Sequence, residues 1–333
     1  MEGGPGETFL QKGFPRRREH LLTGRLPPPN GEIVGMTGYL APAGFESELV
    51  SELGYLGAAV DTVREGLVLA WGEVFPVWAQ NIWFEPREHR IDSIGHAVKI
   101  LKGMQRNWAL YSVCEHRRAS LIQEQLPKVS ARPLVFGEPP PSSPLGSWTL
   151  LDRDRLLASP RCQSPFPNGI PRFVEDKSGP PNRAYLKLWE FFTRYGQRPG
   201  PGDLCYDLGS SPGGWTWVLA RLGARVVSVD KAGLHPSVSK LPGVEHRLES
   251  AFAQDPAKAG PVDWLFSDVI CYPGRLLSMI ERWLEHGDCK RFVCTVKLQG
   301  ETDLDLIGRF MAIPGSGLTH LYNNKHELTW FKL

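Results

Sequence analysis

The chain has 333 residues, 41% of them apolar and 22% charged, which is enough for two domains with sizeable cores. A formal net charge of +2 excludes a polycation, and the absence of any run of about 20 apolar residues excludes an expected transmembrane helix. Cys114, Cys162, Cys205, Cys271, Cys289 and Cys294 show neither C-x-x-C nor His/Cys ligand spacing, so free thiols, a reducing cytoplasm and no metal are expected.

Residues 1–30 are rich in Pro, Gly and Arg, with Pro15-Arg16-Arg17-Arg18 and Pro27-Pro28-Pro29. They read as a flexible, solvated arm without an apolar signal core, so export is not expected. A first α/β domain is predicted over 31–137. Gly38–Pro42 reads as a strand entering a turn. Phe45, Leu49 and Leu53 fall at i, i+4 and i+8, which predicts an amphipathic helix. Alternation over Gly66–Trp71 predicts a strand, and Ser93–Met104 and Glu115–Leu126 read as helices. Charge is uneven across this half. Residues 31–84 carry one basic residue against seven acidic ones, and residues 85–132 carry nine basic against five acidic. In the second stretch Lys99, Lys102, Arg106, Arg117 and Arg118 are interleaved with Trp108, a composition suited to phosphate contact and base stacking. The Pro139–Pro144 run and the Pro-, Asn- and Gly-rich Ser159–Lys177 segment make 138–180 a linker and connector, with a strand near Trp148–Asp152.

Residues 181–333 change character. Leu204-Cys205-Tyr206 reads as a buried strand, Asp207 to Trp215 as a glycine-rich turn, and Trp217, Val218, Leu219 and Leu222 as the start of a helix. Strand, small-residue turn and helix build nucleotide sites at the carboxyl edge of open α/β sheets. Neither G-x-G-x-x-G nor G-x-x-x-x-G-K-[ST] is present. A turn without a phosphate-gripping lysine suits a ligand lacking pyrophosphate, such as S-adenosylmethionine. Gly209, Ser211, Pro212, Gly213, Gly214 and Trp215 would cradle it. Asp230 ends the second strand, 23 residues after Asp207, where a carboxylate can accept from a ribose diol.

With Asp-Leu-Gly-Ser-Ser-Pro-Gly-Gly-Trp followed by Ser-Val-Asp, the chain resembles the FtsJ-like ribose 2′-O-methyltransferases, and within them the ribosomal RNA large-subunit methyltransferase M family. Ser164-Pro165-Phe166, Gly169–Arg172, Leu186-Lys187-Leu188 and Asn324–Thr329 extend the resemblance over roughly 164–333. It implies a Rossmann-like domain with a mostly parallel sheet and an antiparallel last strand, preceded by a smaller α/β RNA-binding domain. It also implies a Lys-Asp-Lys-Glu tetrad, carried here by Lys187, Asp268, Lys297 and Glu327. Asp268 would also touch the cofactor. The family pairs an RNA-recognition-like fold with a THUMP module upstream; this chain has less room, so one unit is expected to be reduced or absent. Two positions depart from the family. Ser250 stands where an adenine-contacting aspartate is expected, leaving a backbone amide, Ser250 or Glu249 to do that work. Ala184 replaces a small hydroxyl residue.

The resulting expectation is a cytoplasmic, monomeric, S-adenosylmethionine-dependent RNA methyltransferase acting on a cytidine of large-subunit ribosomal RNA. A non-enzymatic RNA-binding module on a methyltransferase fold is the alternative. A Rossmann oxidoreductase is disfavoured by the missing G-x-G-x-x-G.

Overall fold

The computed structural model describes residues 35–129 and 132–333; the arm expected at 1–30 lies outside the described residues. The chain opens with β1 (Met36–Leu40), α1 (Glu46–Tyr55), β2 (Ala59–Arg64), β3 (Leu67–Trp71) and β4 (Asn81–Phe84). Continuous apolar runs such as Leu67–Trp71 make strands that are buried on both faces. β5 (Arg87–Arg90), α2 (Ile94–Met104), β6 (Trp108–Leu110), α3 (His116–Glu124), β7 (Gly146–Leu150), β8 (Arg155–Ser159) and β9 (Arg161–Cys162) follow. The Ser93 hydroxyl caps α2 by accepting from the His96 N–H.

These strands make two sheets, not one. The first is antiparallel and ordered β2-β3-β1-β4-β9. The second is ordered β5-β8-β7-β6, with only the β6–β7 pair parallel. Two small sheets thus precede the third unit. The segment 138–180, expected as linker and connector, supplies β7, β8 and β9 to these sheets. Its Pro139–Pro144 run is irregular, but Gly146–Leu150 is wholly buried between β6 and β8.

Trp108 also departs from expectation. It does not face solvent between the basic residues. It is 1% exposed, and its indole N–H donates to the Leu101 carbonyl in the core under α2 and α3. Lys99, Lys102, Arg106 and Arg117 remain on the surface without it.

The third unit comprises α4 (Tyr185–Tyr195), β10 (Leu204–Leu208), α5 (Gly214–Arg221), β11 (Arg225–Asp230), α6 (Pro236–Ser239), β12 (Val244–Leu248), α7 (Pro256–Ala259), β13 (Pro261–Ser267), α8 (Pro273–His286), β14 (Asp288–Lys297), α9 (Leu304–Met311), β15 (Ser316–Thr319) and β16 (Glu327–Lys332). Its sheet is ordered β12-β11-β10-β13-β14-β16-β15. The first five strands in that order are parallel, and β16 runs antiparallel to both of its neighbours, β14 and β15. Strand order reverses between β10 and β13, the switch point at which open sheets bind ligands.

Alternate residues feed two cores, as a two-residue period requires. Cys205, Val226, Trp264, Phe266, Val293 and Phe331 pack on α4 and α5. Tyr206, Val227, Leu265, Phe292, Cys294 and Trp330 pack on α8 and α9. The second core does not stop at the domain edge. It continues through Leu318 and Phe310 into Leu49 and Leu53 of α1 and Tyr39 and Val68 of the first sheet.

Helix α4 is buried from Tyr185 to Thr193, Lys187 and Glu190 included. It ends at Gly196, whose φ of 70° suits glycine and whose N–H closes the last turn on Phe192. Glu190 is fully buried, pairs with Arg194 at 2.7 Å, and accepts from the backbone N–H groups of Tyr322 and Asn323 at 2.8 and 3.2 Å. Removing one partner of a buried pair strands the other. Glu190→Ala should therefore cost about 3–5 kcal/mol, read as a lower urea midpoint at unchanged slope. A midpoint equal to wild type would show that the 321–327 turn holds itself.

Candidate active site

Four charged side chains meet at the carboxyl edge of the parallel strands. Lys297 ends β14, Asp268 follows β13, Glu327 opens β16 and Lys187 projects from α4. Lys297 and Glu327 are direct cross-strand partners in the β14–β16 ladder, which fixes their separation by register. Lys297 Nζ lies 2.7 Å from Asp268 Oδ1 and 3.4 Å from Glu327 Oε2. Lys187 Nζ lies 3.3 Å from Asp268 Oδ2 and 2.5 Å from Glu327 Oε1. Each ammonium thus touches both carboxylates. Burial pulls the Lys297 ammonium down, but the charges and hydrogen bonds of Asp268 and Glu327 outweigh it. The net shift is upward, so Lys297 is protonated at neutral pH.

Beside the cluster lies an open cavity of about 380 Å³, lined by Asn182, Ala184, Asp207, Gly209, Ser210, Ser211, Gly214, Trp215, Asp230, Asp268, Val269, Ile270 and Lys297. The turn after β10 makes its floor. Gly209 has φ +80°, and a Cβ there would sit 2.6 Å from Val269 Cα, so only glycine fits both the conformation and the close approach. The Ser211 and Ala232 N–H groups donate to the two oxygens of Asp230 at 3.0 and 2.9 Å, which holds that carboxylate at the cavity wall. The Trp215 indole donates to the Ala184 carbonyl and is buried, serving as wall.

Of the residues expected at the cofactor turn, Gly209, Ser211, Gly214, Trp215, Asp230 and Asp268 line the cavity. Pro212 and Gly213 do not. A Cβ at Gly213 would meet Val238 and Leu234 instead, so that glycine serves packing against α6. Ser250 also falls outside the lining. Its hydroxyl accepts from the Phe252 N–H and caps a short 3-10 turn, and Glu249 is bound to Gln254.

Asp207 was not expected as a site residue, although an acidic residue inside the apolar run Leu204–Leu208 was the available signal. It is 0% exposed. Its Oδ2 accepts from Thr216 at 2.6 Å, continuing through Ser228 to Ser210, while Oδ1 has no partner. Burial, opposed by the Thr216 hydrogen bond and aided by the charges of Asp268 and Asp230, pushes its carboxyl up to about 7. The ordinary value is 3.8, so between the two the folded state binds the extra proton, and stability falls as pH rises through that window. Asp207→Asn, neutral at every pH and still able to accept from Thr216, should gain on wild type between about pH 4 and 7 in paired urea titrations. A difference independent of pH would mean that this carboxyl does not titrate there.

Residues 180–296 match the FtsJ-like methyltransferase family. The chain is 33% identical over 172 residues to a ribosomal RNA large subunit methyltransferase M of Halorhodospira halophila, covering 49% of this chain and 50% of that protein. A Thauera aminoaromatica protein of the same name is 34% identical over 184 residues, covering 50% of each chain. One from Cellvibrio japonicus is 37% identical over 141 residues, covering 40% of this chain and 39% of its own. The chain spans about half the length of the curated relatives it matches. Among the described residues no helix is long and apolar enough to cross a membrane. The segment that carries Lys187, Asp268 and the cavity turn is thus similar to the FtsJ-like methyltransferases, and that match stops just short of Lys297.

Proposed function

We propose that this protein is an S-adenosylmethionine-dependent ribose 2′-O-methyltransferase whose substrate is RNA, a cytidine of large-subunit ribosomal RNA. The observation that carries the reading is the meeting of Lys187, Asp268, Lys297 and Glu327 at the mouth of a cavity floored by a glycine turn.

The residues present fit the cofactor. Asp207 lines the cavity and its buried Oδ1 lacks a donor, which a cationic amino-acid end supplies. Asp230, already oriented by two backbone N–H groups, keeps lone pairs for a ribose diol. Asp268, Val269 and Ile270 form the opposite wall. When bound, S-adenosylmethionine supplies an electrophilic methyl on a sulfonium.

The chain's own groups then handle the hydroxyl. A 2′-hydroxyl is a weak nucleophile and must lose its proton as its oxygen takes the methyl. Lys297 Nζ, an ammonium at rest, gives its own proton to solvent water at the open end of the cluster and, as the free amine, accepts the hydroxyl proton while the oxygen takes the methyl. Lys187 binds the same two carboxylates and so shares the negative charge that otherwise holds the Lys297 proton. Asp268 and Glu327 fix the direction of the amine. RNA beyond the target nucleotide is held by the exposed Lys99, Lys102, Arg106 and Arg117, with Arg118 half-buried beside them.

The test is the map of ribose methylations in ribosomal RNA from cells lacking the protein: one large-subunit cytidine should lose its mark, and an unchanged map would overturn the reading. In vitro, Lys297→Ala should keep cofactor affinity and lose transfer by about 100-fold or more. Lys297→Arg, which keeps the charge but cannot give up a proton, should be as inactive. Wild-type turnover by the arginine variant would make Lys297 an orienting cation instead. Asp230→Ala should weaken S-adenosylmethionine binding by about 1.5–3 kcal/mol in calorimetry. Neutralising the five basic residues together should flatten the salt dependence of RNA binding and leave cofactor affinity alone; an unaltered slope would place the RNA elsewhere.

A further inference from the structure

The turn that delivers Glu327 is held from outside its own domain. His326, its neighbour, lies 3.1 Å through Nε2 from Glu48 Oε1 on α1, and both side chains are largely buried. The His326 ring stacks on Phe45 at 5.5 Å between centroids and on Trp78 at 5.7 Å. His320, at the far end of the turn, packs on the same two rings at 5.6 and 5.0 Å. Its backbone N–H donates to the Val77 carbonyl at 2.9 Å, and its Nε2 is 3.2 Å from the Lys325 carbonyl. The Val77–Trp78 backbone is pinned in turn by Glu52 of α1, which accepts both N–H groups at 2.9 and 3.0 Å. On the inner side, the His326 carbonyl accepts from Leu298, one residue past Lys297.

We infer that His326 is a positioning residue for Glu327, and that α1 of the N-terminal sheet, through Glu48, completes the catalytic arrangement. The geometry supports a specific route. Glu48 fixes the His326 ring, the ring fixes the 324–327 backbone, and that backbone sets where the Glu327 carboxylate meets Lys187 and Lys297. A carboxylate with hydrogen bonds to two ammoniums tolerates little displacement, because small shifts in catalytic geometry cost large factors in rate. None of these groups lines the cavity, so cofactor binding lies outside the route. The first sheet and α1 are therefore part of the active-site support, while the basic residues that hold RNA sit on the second unit.

The inference rests on the methyltransferase reading for its rate readout, so the experiment carries a second readout that needs no activity. Glu48→Ala and His326→Ala should each lower single-turnover methyl transfer at saturating RNA by at least tenfold, with S-adenosylmethionine affinity unchanged. The double variant should be no worse than either single one. His326→Gln, which keeps a donor near the Nε2 position, should recover most of the loss. Hydrogen exchange of the Leu298 and Glu327 amides should quicken in Glu48→Ala while the β10 and β11 amides stay protected. Quickened exchange in a protein whose wild type transfers no methyl would uphold the brace and overturn the methyltransferase reading. Wild-type transfer and unchanged exchange in Glu48→Ala would overturn the brace alone.

Discussion

Two ammoniums and two carboxylates, each touching both groups of opposite sign, form the constraint around which this protein is arranged. Charges this shielded from water cost several kcal/mol each to desolvate unless matched. The four groups match one another, so the square is electrically neutral and stable only when complete. Its members come from a helix, a strand end, a loop and the start of an antiparallel strand. The sheet order therefore has a purpose. Inserting β16 antiparallel beside β14 brings an amino-terminal glutamate level with a carboxyl-terminal lysine, which a parallel neighbour would not do. Burying α4 on nearly all sides fixes the fourth corner.

The acidic excess of residues 31–84 acquires part of its physical reason from the same arrangement. Glu46 accepts from the Gly66 N–H at 2.7 Å, Glu48 meets His326, and Glu52 takes two backbone N–H groups. All three lie on α1. Burial pushes Glu52 up to about 7 against those two hydrogen bonds, so this anchor is costly and its placement specific. An acidic first sheet is unsuited to gripping phosphate, and the exposed lysines and arginines sit on the second unit instead. Charge thus divides the labour: Glu46 and Glu52 tie α1 to the loops of its own unit, Glu48 reaches across to His326, and the cations face outward.

Much of this was legible in the residues because parallel strands buried on both faces leave continuous apolar runs that end abruptly. Leu204–Leu208, Arg225–Asp230 and Phe292–Lys297 each end in a site residue or lead directly to one, so the rim could be read from them. The tetrad was different. Lys187 and Asp268 are 81 residues apart, and only resemblance linked them. Where the reading failed, local composition was ambiguous. A tryptophan among basic residues looks the same whether it stacks on a base or fills a core, and Trp108 fills a core. Behind the proline run the strand near Trp148 is legible, but β8 is not. Glu48 and His326 carry no local signal at all, because their meaning lies in a contact 278 residues apart in sequence.

That long-range contact bears on how the chain divides. The core on the α8–α9 face runs without a break from Trp330 and Phe310 into Leu49 and Leu53. A buried leucine or phenylalanine is worth roughly 1.5–3 kcal/mol when kept from water, and separating the units would expose several from each side. Interfaces between independent domains are commonly polar enough to separate and slide; this one is a shared core closed by charged and aromatic contacts at its rim. The FtsJ-like match begins at residue 180, yet the physical unit that holds Glu327 in place begins with β1 and α1. Sequence similarity marks the segment that resembles a known family, and packing shows that its core extends beyond that segment.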